Sequence, residues 1–143
     1  MKDTSLAHRC NCLALRQAAR AVTMLYDRHL EKAGLTTSQY SLLAIIKEKP
    51  GISMQELSEL MVMDRTTLVR ALKPLSRDNY IQQLPDAINS RKLVFTLTDE
   101  GKRKYAEAHD HWLQAQAEFD ASVGKSRAKD MRAELVNLAR NQL

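Results

Sequence analysis

The chain has 143 residues, 44% hydrophobic and 27% charged, a balance that suits one folded soluble domain and excludes a disordered chain. No apolar run approaches the ~20 residues that span a bilayer. Met1, Lys2, Asp3 and Thr4 lead into a polar stretch rather than a secretory signal, so a cytoplasmic location is expected. A formal charge of +5 and a pI near 9.4 suit a polyanionic partner without identifying one.

In chain order, the spacing of Leu15, Ala18, Val22, Leu25 and His29 predicts a first helix over about 4–33, with Gly34 as its stop. Three helix starts follow. Thr36 and Gln39 form a capping box inside a Leu35–Tyr40 hydrophobic staple, and Ser53 and Glu56 repeat it inside an Ile52–Leu57 staple. Asp64 is an N-cap with Met63 and Leu68 around it. Lys49-Pro50-Gly51 breaks the chain between the first two. The expected helices are 37–48, 54–61 and 65–78.

Residues 80–84 and 92–97 are β-prone, and the turn-rich segment 85–90 joins them into a hairpin. Leu93, Phe95 and Leu97 alternate as a half-buried strand requires. Thr98 then caps a long helix carrying Asp99 and Glu100 in its first turn, where the helix dipole favours them. Tyr105, His109, Trp112, Gln116, Phe119 and Val123 form one stripe of it, expected to be core or subunit interface rather than a cofactor box. After Gly124 a last helix over about 127–141 presents Met131, Leu135 and Leu138.

The fold class is therefore mainly α with a small β-hairpin wing. Two short helices, a tight turn and a hairpin spell a winged helix-turn-helix. In its second helix Leu68, Leu72 and Leu75 form the buried stripe. Thr66, Arg70, Lys73 and Arg77 lie on the opposite face, a hydroxyl followed by a column of cations suited to a major groove. Residues 64–104 hold nine Lys or Arg against five acids, which concentrates four of the five net charges there. Pro74 lies inside this helix, removes the amide that would bond the Arg70 carbonyl, and is expected to bend it.

Asp64-Arg65-Thr66-Thr67-Leu68-Val69-Arg70, the wing segment Asn89-Ser90-Arg91 and Leu97-Thr98-Asp99-Glu100-Gly101 resemble the multiple antibiotic resistance regulator (MarR) family at its own spacing. The resemblance runs over nearly the whole chain. It implies a single domain over 1–143, with a DNA-binding part at about 36–100 and dimerisation helices at about 4–33 and 100–143. It further implies a homodimer on a pseudo-palindromic duplex, Arg91 reaching a minor groove and Arg70 in a major groove. Thr66 and Arg70 are expected at base edges, and Lys73, Arg77 and Arg65 on phosphates. The chain departs from the family at Asn89, where an acidic residue is usual, and at Asn79, where a helix-ending glycine is common.

Some members sense oxidants through a cysteine of the first helix, which makes Cys10 and Cys12 candidate redox residues. At i and i+2 on an intact helix they point about 200° apart and cannot share a metal. Small buried hydrophobes are the plainer reading of both. The family also implies a small aromatic effector between dimer helices and reading head. Arg16, Arg20, Tyr40 and His8 have the chemistry to line that cleft, although each reads first as structural or solvated. No zinc spacing, phosphate-cradling glycine loop or catalytic triad order is present, so neither cofactor nor enzymatic activity is expected. The competing reading is a winged-helix protein-interaction module without specific DNA binding.

Overall fold

A computed structural model of the chain describes residues 5–143, and Met1–Thr4, on which the absence of a signal was argued, lie outside the described residues. In chain order the elements are α1 (Asn11–Leu30), α2 (Thr37–Glu48), β1 (Ile52–Ser53), α3 (Met54–Met61), α4 (Arg65–Arg77), β2 (Ile81–Pro85), β3 (Leu93–Leu97), α5 (Asp99–Val123) and α6 (Lys125–Asn137). The mainly helical winged architecture stands as the sequence indicates.

The first helix differs from expectation. A 3-10 turn at Leu6–His8 comes first, and α1 starts only at Asn11. Cys10 is extended (φ −117, ψ 109), and its Sγ accepts from the Leu13 amide at 3.4 Å as the helix cap. A thiol is not a usual cap, so no capping signal marks this boundary. Cys10 thus stands outside α1 as its cap while Cys12 lies within it, so the two thiols do not share one intact helix, contrary to expectation. At the other end the chain tightens into a 3-10 turn at Glu31–Ala33 before Gly34 ends it at φ 72. The last helix also starts earlier than expected, at Lys125, and passes into a π turn at Leu138–Gln142.

The remaining caps behave as their sequences dictate. Thr36 and Gln39 complete a reciprocal box, and the Ser53 hydroxyl takes the Glu56 amide while donating to the Glu56 carboxylate. The staples turn inward, with Leu35, Tyr40, Ile52, Leu57 and Leu68 buried and Met63 half-buried. The core they enter is built on Leu30, Leu42, Leu43, Ile46 and Leu75, all fully buried. Burial of each such side chain is worth about 1.5–3 kcal/mol before chain entropy is subtracted.

The wing is part of a three-stranded antiparallel sheet of order β1-β3-β2. The short β1 pairs Ile52 with Phe95 and Ser53 with Val94, a strand too brief to announce itself in sequence. It changes the expected alternation of β3. Val94 is 8% exposed where β1 lies beside it, whereas Leu93, beyond the end of β1, is 45% exposed.

The junction between wing and α5 is tightly built. Asn79 adopts a left-handed backbone (φ 61) and reverses the chain after α4. The Thr98 amide donates to the Tyr80 carbonyl at 3.1 Å, and its hydroxyl donates to the Asn79 carbonyl at 2.6 Å. The same hydroxyl accepts from the Gly101 amide at 2.9 Å. A Cβ on Gly101 would stand 1.9 Å from the Tyr80 carbonyl oxygen, so no side chain fits there. Gly101→Ala is accordingly expected to cost about 3 kcal/mol of stability, read as a lower urea midpoint at unchanged slope. A wild-type midpoint would remove this steric account.

Candidate nucleic-acid interface

The candidate surface begins at the cap of α4. The Asp64 carboxylate accepts from the Thr67 amide at 2.8 Å and from the Thr67 hydroxyl at 3.0 Å. Those bonds hold its pKa below the usual carboxylate value, so the cap is charged at neutral pH and is lost as acid protonates it. The helix then buries Leu68, Leu72 and Leu75 against the core. By its 3.6-residue period this leaves Arg65, Thr66, Arg70, Lys73 and Arg77 exposed, as their spacing requires. The helix is continuous through Pro74 to Arg77.

The wing adds the second part. β2 and β3 pair down to Pro85 opposite Leu93, leaving residues 86–92 as the tip. Four bonds fix that tip. The Asp86 amide donates to the Lys92 carbonyl (2.8 Å), and the Lys92 amide to the Asn89 carbonyl (2.9 Å). The Asn89 amide reaches the Asp86 carboxylate (3.4 Å), and the Arg91 amide reaches Asn89 Oδ1 (3.2 Å). Asn89 therefore braces the Arg91 backbone with a neutral amide, while the Arg91 side chain stands exposed.

Between the N-terminal ends of α3 and α4 and the wing lies a cleft of about 500 Å³. Arg65, Arg91 and Lys92 line it together with Ser53, Gln55, Gln83 and Asn89. None of its three cations has an ion-pair partner among the described residues, and Arg70 and Lys73 likewise have none. Five uncompensated cations on one face make a surface of positive potential suited to a polyanion. Arg77 differs, since its Nε lies 3.2 Å from Asp78 Oδ1 at the far end of α4. Sequence reasoning named Arg65 and Arg91 but missed Lys92, Gln55 and Gln83. Lys92 could have been found from its place beside Arg91, whereas the two amides carry no signal before the sheet brings them together.

The other candidate residues are dispersed. Cys10 is half-buried at the start of α1 and Cys12 is exposed. Arg16, Arg20 and His8 are exposed. Tyr40 is buried, stacked on Tyr105 with centroids 5.5 Å apart and on Trp112 at 5.7 Å, its hydroxyl 2.9 Å from His109 Nδ1. Burial, with further help from Tyr105, raises its phenol pKa well above the ordinary value. The long-helix stripe thus serves packing: Tyr105, His109 and Trp112 join this stack, and Gln116 accepts from the Tyr26 hydroxyl.

The sequence pattern of the MarR family matches residues 35–93, the segment from the start of α2 to the wing. An uncharacterized HTH-type transcriptional regulator of Bacillus subtilis, YybA, is 38% identical over 87 residues, 61% of this chain. The match spans 58% of that protein's length. The transcriptional regulator MosR of Mycobacterium tuberculosis, solved in complex with DNA, superposes with a TM-score of 0.80 at 36% identity, covering 92% of this chain and 94% of MosR. The repressor CouR bound to a 23-mer duplex gives a TM-score of 0.85 at 20% identity over 98% of this chain and 99% of its own, a likeness of fold. CouR from Rhodococcus jostii RHA1 has also been solved with p-coumaroyl-CoA (TM-score 0.79, 20% identity, 90% of each chain). The chain belongs to the MarR family of transcriptional regulators.

Proposed function

We propose that this chain is a sequence-specific double-stranded DNA-binding transcriptional repressor that acts as a homodimer and is released by a small-molecule or oxidant signal. The observation that carries the reading is the set of unpaired cations on the face shared by α4 and the wing. A helix of α4's dimensions fits a major groove, and a hairpin tip beside it fits the neighbouring minor groove. Thr66 and Arg70 reach base edges, Lys73 and Arg65 hold phosphates, and Arg91 reads minor-groove shape and potential. Arg77 reaches a phosphate by exchanging its Asp78 partner, so its contribution is smaller than that of the free cations.

The domain reading follows the same division: one domain over 1–143, its DNA-binding part at about 36–100 between dimerisation helices at about 4–33 and 100–143. Exposed Leu15, Val22 and Met24 on α1, Leu113 on α5, and Leu135 and Val136 on α6 supply apolar surface for a two-fold partner. No described helix is long and apolar enough to cross a membrane. In this reading the chain acts on DNA in the cytoplasm. The chain carries no catalysis in this reading, since its distinctive chemistry is a charged recognition surface. A small aromatic molecule, bound between dimer helices and reading head, alters the separation of the two recognition helices.

The decisive experiment is selection of bound fragments from sheared bacterial genomic DNA, followed by affinity measurements across salt. A pseudo-palindrome with half-sites about one helical turn apart is expected. Absence of enrichment supports the protein-interaction module instead. Within the selected site, Arg70→Ala is expected to lower affinity by about 1–3 kcal/mol and relax specificity. Lys73→Ala weakens all duplexes alike and reduces the salt slope by about one. Equal, sequence-blind losses in both variants exclude this division of roles.

The oxidant branch rests on the thiols. Two thiols and one peroxide give a disulfide and two waters, and a disulfide of Cys10 or Cys12 across the dimer restrains the first helices. Peroxide is expected to weaken DNA binding reversibly and to produce a dithiothreitol-sensitive dimer on nonreducing gels, and Cys10→Ser or Cys12→Ser abolishes both effects. Unchanged affinity and mobility after peroxide exclude the switch.

A further inference from the structure

Ile88, at the wing tip, is 96% exposed. Single exposed aliphatics are ordinary on protein surfaces, so exposure alone means little. The surroundings distinguish this one. Four hydrogen bonds among Asp86, Asn89, Arg91 and Lys92 fix the loop that carries Ile88. The same loop carries Arg91 and Lys92, both exposed and without ion-pair partners among the described residues. A bare isoleucine beside two free cations suits a partner that joins negative charge to apolar surface at short range. The minor groove has that character: phosphate rims flank walls made of deoxyribose C–H groups, about 6 Å apart. Isoleucine is also stiff at χ1, so holding it in a narrow slot costs little side-chain entropy.

We propose that Ile88 is an apolar minor-groove contact, packing on the deoxyribose wall while Arg91 occupies the groove beside it. The proposal rests on the DNA-binding reading and adds to it a contact that carries no charge. That property separates it from every cation on the face. Removing a cation alters the dependence of affinity on salt, whereas removing an aliphatic group shifts affinity by a constant factor.

The test uses the full chain, one fixed A·T-rich duplex and fluorescence anisotropy across a salt series. Ile88→Ala is expected to bind about tenfold more weakly at every salt concentration, with the slope of log affinity against log salt unchanged. Ile88→Val retains most of the affinity, and Arg91→Ala flattens the slope by about one. Thermal unfolding of Ile88→Ala matches wild type, because a side chain this exposed buries almost no surface in the fold. Wild-type affinity in Ile88→Ala, or a loss that varies with salt, overturns the contact. So does an Ile88 effect confined to anionic lipid vesicles. If the wild-type chain binds no duplex at all, the DNA-binding reading itself fails, an outcome distinct from tight binding by both wild type and Ile88→Ala.

Discussion

The contact of the Tyr80 carbonyl with the first turn of α5 organises the reading head, because three elements meet at that one oxygen. It accepts the Thr98 amide, and its nearness to Gly101 leaves no room for a Cβ. Thr98 meanwhile binds the Asn79 carbonyl and caps α5 with the same hydroxyl. The exit of α4, the start of β2 and the start of α5 are thus held within a few ångströms of one another. A rigid junction is what a recognition helix needs, since small misplacements remove directional hydrogen bonds to base edges. The family segment Leu97-Thr98-Asp99-Glu100-Gly101 acquires a physical reason here: the threonine supplies two bonds and the glycine supplies the close approach.

A second set of bonds fastens the head to the first helix. Asp27 on α1 accepts from the Thr37 amide at 2.7 Å and the Thr37 hydroxyl at 2.6 Å, satisfying orphan groups at the start of α2. Lys104 on α5 donates to the Ala33 carbonyl at 3.1 Å and lies 5.9 Å above the Tyr80 ring. Glu118 on α5 meets His29 Nε2 at 2.5 Å, and the bond holds its carboxyl below the usual range. These polar ties hold the C-terminal part of α1, where Leu30 enters the core, and leave Leu15, Val22 and Met24 exposed. In the proposed dimer, a helix so placed is positioned by the monomer and covered by the partner.

Legibility in the sequence followed the range of the interactions. Caps and staples act within five residues, so Thr36, Ser53, Asp64 and Thr98 located their helix starts. The stripe Leu68, Leu72, Leu75 fixed which face of α4 is buried, and with it the exposure of Thr66, Arg70 and Lys73. What escaped depends on distant chain. The strand Ile52–Ser53 exists only because β3 lies beside it, and its presence buries Val94 in place of Leu93. Gln55 and Gln83 join the cleft through the fold rather than through spacing. The start of α1 escaped for a different reason, since sulfur as a cap lies outside the usual chemistry of helix ends.

The rigidity at Thr98 turns α5 into a lever arm. Its 25 residues extend about 37 Å from the junction. A tilt of about 5° at the clasp moves the far end by roughly 3 Å, comparable to the rise of one base pair along a duplex. In the proposed dimer the reading heads sit at one end of two such arms and the shared interface at the other. The separation of the heads is then an angular quantity, and tolerance for altered operator spacing is set by the stiffness of a joint a few residues long.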